Sequence, residues 1–194
     1  MNTIIHFDQQ LFFFINNDCH INLLDKIMPY WRSMYFWLPI YTFFVAFIIE
    51  KYKNKGFLYL LALGLTIGVS DTVSSKWIKK TVQRTRPCND HSRNLEMKRE
   101  VKLLVRCGSG YSFPSSHATN HFAVATFIVL TFARSKKWLK WGLIAWATSI
   151  ALGQVYVGVH YPSDVICGGI LGTLIGWASG YLYNRYFTTQ YPEL

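Results

Sequence analysis

The apolar residues of this chain are gathered into five long runs that contain no Lys, Arg, Asp or Glu. A helix rises about 1.5 Å per residue, so roughly 20 residues cross the hydrocarbon core of a bilayer. Five such runs in 194 residues leave too little polar surface to cover them in a soluble protein. We predict an all-α, polytopic membrane helix bundle, one domain over 1–194, with about five transmembrane helices at 33–49, 56–70, 118–133, 141–159 and 165–184.

The composition excludes two other classes of protein. Apolar residues make up 51% of the chain and charged residues 15%, with a net charge of +10. A disordered basic tail is excluded, because such tails are poor in aromatic and branched aliphatic residues. A soluble nucleic-acid-binding domain is disfavoured, since ordinary soluble domains already carry about 25% charged residues. We therefore expect the bilayer, and no nucleic acid, as a partner.

The fifth run carries a glycine at every fourth position. This spacing places the glycines on one helix face, where a neighbouring helix can approach closely. The face consists of Gly168, Gly172, Gly176 and Gly180.

The N-terminal stretch 8–32 differs from the runs, because polar residues at 16–18 interrupt it. It is too broken to cross a bilayer. We expect one or two amphipathic helices that lie at the membrane surface. We do not expect a cleavable signal peptide, since the stretch has no basic n-region and Asp8 occurs early.

Basic residues in the short turns predict the orientation. The turns 50–56 and 134–140 are rich in Lys and Arg, and Arg185 follows the last run. The positive-inside rule places all three in the cytoplasm. The N-terminal stretch, the loop 79–117 and the turn 160–164 are then extracytoplasmic, and we expect a bacterial plasma-membrane protein with its active site on that side.

The loop 79–117 conflicts with this rule, since it holds nine basic and three acidic side chains. Such charge on the extracytoplasmic side predicts an anion site. Three polar clusters lie at the predicted extracytoplasmic ends of the apolar runs: 79–87, 113–117 and 158–164. Their Lys and Arg side chains can bind an oxyanion, and two serines precede a helix whose first N–H groups favour an anion. Two histidines can carry out proton transfer and nucleophilic attack, and an aspartate lies close to one of them in the sequence. This set suits phosphoryl transfer without a metal.

The three clusters resemble the signature of the type 2 phosphatidic acid phosphatase family, whose active site is shared with vanadium-dependent haloperoxidases. That signature is a Lys followed after six residues by Arg-Pro, then Pro-Ser-Gly-His, then Ser-Arg, five residues, His, three residues, Asp. The resemblance covers roughly residue 55 to the end. The matching residues are Lys79, Arg86, Pro87, Pro114, Ser115, His117, His160 and Asp164.

The resemblance implies a role for each matching residue and requires no metal or cofactor. His160 would be the nucleophile that forms a phosphohistidine, Asp164 would orient it, and His117 would protonate the leaving oxygen. Water would then release the phosphate. The phosphoryl oxygens would be held by Lys79, Arg86, Ser115, the backbone of Ser116 and, as a neutral ligand, Gln154.

The sequence departs from the family pattern at two places. Ser116 replaces a glycine, and its backbone N–H remains available if φ is negative. Gly153 and Gln154 replace the Ser-Arg pair, so one positive charge is missing from the expected phosphate site. Arg84 and Arg106 are the candidates to replace that charge.

The substrate that we favour from the sequence is undecaprenyl diphosphate. Phosphatidylglycerol phosphate, phosphatidic acid and lipid A phosphates fit the same motifs, and a lipid phosphotransferase would use the same site. A haloperoxidase function is disfavoured, because the relatives with that activity are soluble and this sequence predicts five membrane spans. A non-enzymatic anion channel or lipid-binding module leaves the two histidines and the aspartate unexplained. The oligomeric state stays open.

Three weaker signals remain. Asp71 lies inside the second run, and we expect it to form structural hydrogen bonds. His117 and His121 have a spacing that could bind zinc, but no neighbouring Glu or Cys completes such a site. Cys88 and Cys107 lie in the same extracytoplasmic loop, and we expect a disulfide between them.

Overall fold

The fold is helical in a computed structural model that describes residues 3–91 and 99–188, where no strand occurs. The prediction of an all-α protein is confirmed. One-turn π-helical segments follow several of the helices. The helices are α1 (Thr3–Phe13), α2 (Asn22–Trp31), α3 (Met34–Asp71), α4 (Lys79–Val82), α5 (Ser116–Thr131), α6 (Lys137–Tyr156) and α7 (Pro162–Tyr183).

The first two apolar runs form the two arms of α3. Lys53 interrupts the helix with φ 51° and ψ −125°, a left-handed backbone conformation. Beyond it, a side chain at Gly56 would collide with the carbonyl oxygen of Ile48. The close approach indicates that the chain reverses at Lys53, inside the predicted turn 50–56.

Helices α5 and α7 pack in close contact along the predicted glycine face. A Cβ on Gly168 would lie 2.7 Å from the carbonyl oxygen of Ser115, and one on Gly172 would overlap the backbone of Thr119. Because these contacts are with backbone atoms, only glycine permits this separation. The predicted packing role of the repeat is confirmed.

Within the described ranges, two stretches are long and apolar enough to cross a membrane by length and composition, Met34–Asn89 and Pro162–Phe187. The first of them contains the break at Lys53. Aromatic side chains remain exposed near the helix ends, including Trp77, Trp138 and Trp141. The number of five spans stays a prediction.

The N-terminal stretch forms α1 and α2, and α1 packs on the bundle. Phe12 and Phe13 are buried in a cluster with Val155, Tyr161 and Val165, at the end of the bundle where α6 finishes and α7 begins. In α2, by contrast, Leu23 remains exposed. The predicted position of 8–32 at the membrane surface stays a prediction.

The loop 79–117 is tied to the same end of the bundle. The predicted disulfide between Cys88 and Cys107 is present. The Asn16 side chain donates hydrogen bonds to the carbonyl oxygens of Lys102, at 2.9 Å, and Tyr156, at 2.8 Å. These contacts fix the second half of the loop, whereas its residues 92–98 lie outside the described residues.

Candidate active site

His160 and Asp164 lie where α6 gives way to α7. Gly158, with φ 89°, turns the chain after α6, and a Cβ there would lie 2.9 Å from the carbonyl oxygen of Lys102. Asp164 is in the first turn of α7, where its Oδ2 accepts a hydrogen bond of 2.9 Å from the N–H of Tyr161. The same oxygen is 3.4 Å from Nδ1 of His160. Both side chains are buried.

Arg86 determines which ring nitrogen of His160 carries the proton. Its Nη1 lies 3.2 Å from Nε2 of His160 and 3.1 Å from the carbonyl oxygen of Val159, while its Nε donates to Gly110 at 2.8 Å. An arginine is always a donor, so Nε2 must be the acceptor. The proton of neutral His160 is therefore on Nδ1, which faces Asp164.

The start of α5 brings the second motif against the third. The Ser115 hydroxyl caps the helix by accepting from the N–H of Ala118 at 3.5 Å, and the Ser115 N–H donates to the carbonyl oxygen of Asp164 at 3.0 Å. The first N–H groups of a helix have no partner within the helix and favour an anion. Those groups belong to Ser116 and His117.

His117 and Lys79 complete the cluster. His117 experiences the charges of Arg32, His160 and Lys79, and Lys79 interacts electrostatically with Arg86 and with Asp164. The structure thus brings all three predicted motifs to one end of the bundle.

Asp71 lies deeper and forms the expected structural hydrogen bonds. It accepts from Ser75 at 3.0 Å and from Asn120 at 3.3 Å. Ser75 in turn is 3.0 Å from the hydroxyl of Ser116. The serine that replaces the family's glycine therefore links α5 to the end of α3.

His121 belongs to the helix packing beside the site. Its Nδ1 lies 2.7 Å from the carbonyl oxygen of His117, and its ring packs on Trp146. Within the described ranges 3–91 and 99–188, no group of three His, Cys, Asp or Glu side chains is arranged to hold a metal ion.

A comparison of the whole sequence with known protein families identifies the family of this chain. The profile of the PAP2 superfamily matches residues 55–188, which contain all three motifs. The chain belongs to the PAP2 superfamily. It is an enzyme that hydrolyses phosphate esters of lipids, as the resemblance predicted.

Individual PAP2 proteins agree with this assignment. The chain is 32% identical to a lipid A 4'-phosphatase of Bacteroides thetaiotaomicron, over 92% of this chain and 77% of that protein. It is 29% identical to an undecaprenyl-diphosphatase of Sulfolobus acidocaldarius, over 90% and 78% respectively. The fold is similar to that of a transmembrane PAP2-type phosphatidylglycerolphosphate phosphatase from Bacillus subtilis, with a TM-score of 0.72, 23% identity and coverage of 96% and 89%. This likeness shows that the chain has the same fold.

Arg84, a candidate for the missing positive charge, is bound to carboxylates. It donates to Asp164 Oδ1 at 2.7 Å and to Asp8 Oδ2 at 2.6 Å, and Asp8 also accepts from the Ser163 N–H at 2.8 Å. Arg84 therefore holds Asp164 in place. Arg106, the other candidate, is exposed. No sequence motif identified Asp8 as a site residue, since α1 is far from the motifs along the chain.

Gln154 is buried, and its amide is engaged by the protein. Its Oε1 accepts a hydrogen bond of 3.0 Å from Nε of Arg32, and its Nε2 is 3.5 Å from the carbonyl oxygen of Ile150. Arg32 follows α2 directly and was not among the predicted site residues. A lone arginine beside a predicted interfacial helix carries no motif that would have identified it.

Proposed function

We propose that this enzyme removes phosphate from a membrane lipid through a phosphohistidine on His160, without a metal ion. The observation that carries the proposal is the orientation of that imidazole. Nδ1–H faces the Asp164 carboxylate and Nε2, with its lone pair, faces the cationic Arg86. A phosphate bound by Arg86 would meet this lone pair directly.

The first step is attack of His160 Nε2 on phosphorus. The bond to the lipid oxygen breaks, and His117 donates a proton to that oxygen. Arg86, Lys79 and the N–H groups at the start of α5 bind the phosphoryl oxygens, where negative charge is spread in the transition state. Asp164 stabilises the positive charge that develops on the imidazole.

The second step returns the enzyme to its starting state. A water molecule loses a proton to His117 and attacks phosphorus, the bond between phosphorus and Nε2 of His160 breaks, and inorganic phosphate leaves. If a lipid hydroxyl replaces the water, the same intermediate gives a phosphotransferase.

An apolar groove beside the site supports a lipid substrate. It has a volume of about 370 Å³ and is lined by side chains of α5, α6 and α7, including Ala151, Leu152 and Ile170. Val165, the residue after Asp164, lies at this groove. A hydrocarbon chain in the groove would leave its phosphate near His160.

We propose lipid A 4'-phosphate as the first substrate to test and undecaprenyl diphosphate as the second. The likeness to the Bacteroides enzyme favours the first, because it extends over nearly the whole chain at the higher identity. The likeness to the Sulfolobus enzyme favours the second, which is also the substrate that the sequence led us to expect.

The test is phosphate release from a panel of purified lipids in detergent and EDTA. We expect wild-type protein to release phosphate from lipid A, and His160→Ala and His117→Ala to lose about 10³-fold or more in rate. His91→Ala, an exposed histidine of the loop, is the matched control and should retain activity. Acid-labile, base-stable ³²P on wild-type protein but not on His160→Ala would identify the intermediate.

Each outcome decides one part of the proposal. Full activity of His160→Ala would exclude the phosphohistidine. Release from undecaprenyl diphosphate alone would select the second substrate. Transfer of the label to a second lipid, with no inorganic phosphate, would make the protein a phosphotransferase.

A further inference from the structure

The second departure from the family pattern consists of two adjacent residues, and both face the end of α2. Gly153 and Gln154 replace the Ser-Arg pair. A Cβ on Gly153 would lie 3.6 Å from Sδ of Met28 and 3.9 Å from Cβ of Arg32. Gln154 accepts from Nε of Arg32 at 3.0 Å. Both positions therefore contact the end of α2, and the amide of Gln154 receives the guanidinium of Arg32.

The position of Arg32 is fixed by its neighbours. The indole N–H of Trp31 donates to Ser149 on α6 at 2.9 Å, and Trp37 donates to the carbonyl oxygen of Trp31 at 2.7 Å. The Arg32 side chain therefore starts from an anchored backbone. This arrangement favours one orientation of the guanidinium, with little rotamer freedom to lose on binding.

Arg32 has the electrostatic surroundings of an anion ligand. It forms no ion pair with a described carboxylate, and its hydrogen bond to Gln154 uses one of five N–H donors. Burial and then the charge of Arg86 lower the pKa of Arg32, and its charge also acts on His117. Two guanidinium groups that repel each other electrostatically, and that share no described carboxylate as an ion-pair partner, are suited to bind a phosphate.

We propose that Arg32 binds the phosphoryl group of the substrate and supplies the positive charge that position 154 lacks, with Gln154 as the residue that positions it. This inference rests on the proposed lipid phosphatase function. The positive charge then comes from the N-terminal segment instead of α6, but it lies beside position 154, where the family pattern has its arginine. Gln154 then orients the Arg32 guanidinium and is not itself a ligand of the phosphate.

The test exchanges the two side chains. Arg32→Gln should reduce kcat/KM for phosphate release about 10- to 100-fold, the usual effect of one charge-assisted contact. The double variant Arg32→Gln with Gln154→Arg places the charge back on α6 and should recover most of that loss. Arg134→Gln, at an exposed site in the turn before α6 and at the opposite end of the bundle, is the matched control and should behave as wild type.

A binding measurement separates a phosphate ligand from a merely structural residue. Orthovanadate, a phosphate analogue, should inhibit the wild type competitively and raise its Tm in detergent. In Arg32→Gln the inhibition constant should rise about 10- to 100-fold and the Tm increase should shrink, and both should return in the double variant. If Arg32→Gln fails to fold, Arg32→Lys, which keeps the charge but not the planar fork, should show a smaller change in the same direction.

The possible failures are distinguishable. A wild-type protein that releases no phosphate from any lipid would contradict the proposed function. An active wild type whose kcat/KM and vanadate inhibition do not change in Arg32→Gln would overturn the role of Arg32. A loss in Arg32→Gln without recovery in the double variant would overturn the exchange between positions 32 and 154.

Discussion

The imidazole of His160 shows how single contacts prepare a side chain for chemistry. Its Nε2 faces Arg86, a permanent donor, and its Nδ1 faces Asp164. Asp164 is itself held by Arg84 and by the N–H of Tyr161. The distance of 3.4 Å between Nδ1 and Oδ2 is long for a hydrogen bond, and such contacts often shorten when substrate binds.

His160 should make the protein less stable at acid pH. Burial lowers the pKa of His160 to about 4, against about 6.5 in an unfolded chain. Below pH 6.5 the unfolded state therefore binds a proton that the folded state does not bind. The free energy of unfolding consequently falls as the pH decreases from about 6.5 to about 4. Because one unit of pKa difference corresponds to about 1.4 kcal/mol, the loss should be about 3 kcal/mol.

The measurement is the Tm of the wild type relative to His160→Gln between pH 7.5 and pH 4.5 in detergent. Glutamine does not titrate, so the difference isolates the imidazole. The wild type should lose Tm relative to the variant as the pH falls. A difference independent of pH, or one of opposite sign, would show that folding leaves the pKa of His160 unchanged or raises it.

At the scale of helices, the contact between α5 and α7 decides where the side chains of the proposed catalytic site meet. α5 carries Ser115 and His117 at its start, and α7 carries Asp164 in its first turn. The glycine face lets the two backbones touch, so the two motifs reach each other across the helix ends. Packing in the bundle is therefore linked directly to the geometry of the site.

Gly172→Ala should destabilise the protein and reduce its activity. The added methyl group would overlap the backbone of Thr119 and approach that of Ala123, and a backbone cannot rotate away as a side chain can. Overpacking typically costs about 1–3 kcal/mol, so we expect a lower Tm and slower phosphate release. Gly142→Ala, in α6 with open space around it, is the control and should match or slightly exceed the wild type in Tm. Equal Tm values for both variants would contradict close packing at the glycine face.

At the scale of the whole molecule, the N-terminal segment contacts the site that the three later motifs form. Asp8 on α1 binds Ser163 and Arg84, while Arg32 beyond α2 binds Gln154. The N-terminal segment is thus part of the active-site end and not only a surface anchor. We propose that this whole end faces the extracytoplasmic side.

Cysteine labelling tests this orientation with a residue that the protein already has. Cys19, between α1 and α2, is exposed. In a Cys167→Ser background, a membrane-impermeant maleimide should label Cys19 from outside intact spheroplasts. The matched variant carries Cys19→Ser and Ser135→Cys, in the turn after α5, and should be labelled only after lysis. The reverse pattern would place the active site in the cytoplasm.

Much of the site could be predicted from the sequence. Lys79, Arg86, His117, His160 and Asp164 keep a fixed spacing within their motifs, because each motif spans one helix end whose local geometry sets which side chains project together. The same locality explains why the glycine face and the Cys88–Cys107 pair could be anticipated.

The sequence by itself determined the helical runs, the charge pattern and the reactive groups, since hydropathy and motif spacing act over one helix or one turn. Only the tertiary structure decided that Asp8 and Arg84 hold the aspartate and that Arg32 meets Gln154. These pairs lie 76 and 122 residues apart. Contacts over such separations depend on how the helices pack, and a lone Asp or Arg in an N-terminal segment has no local pattern that records its partner.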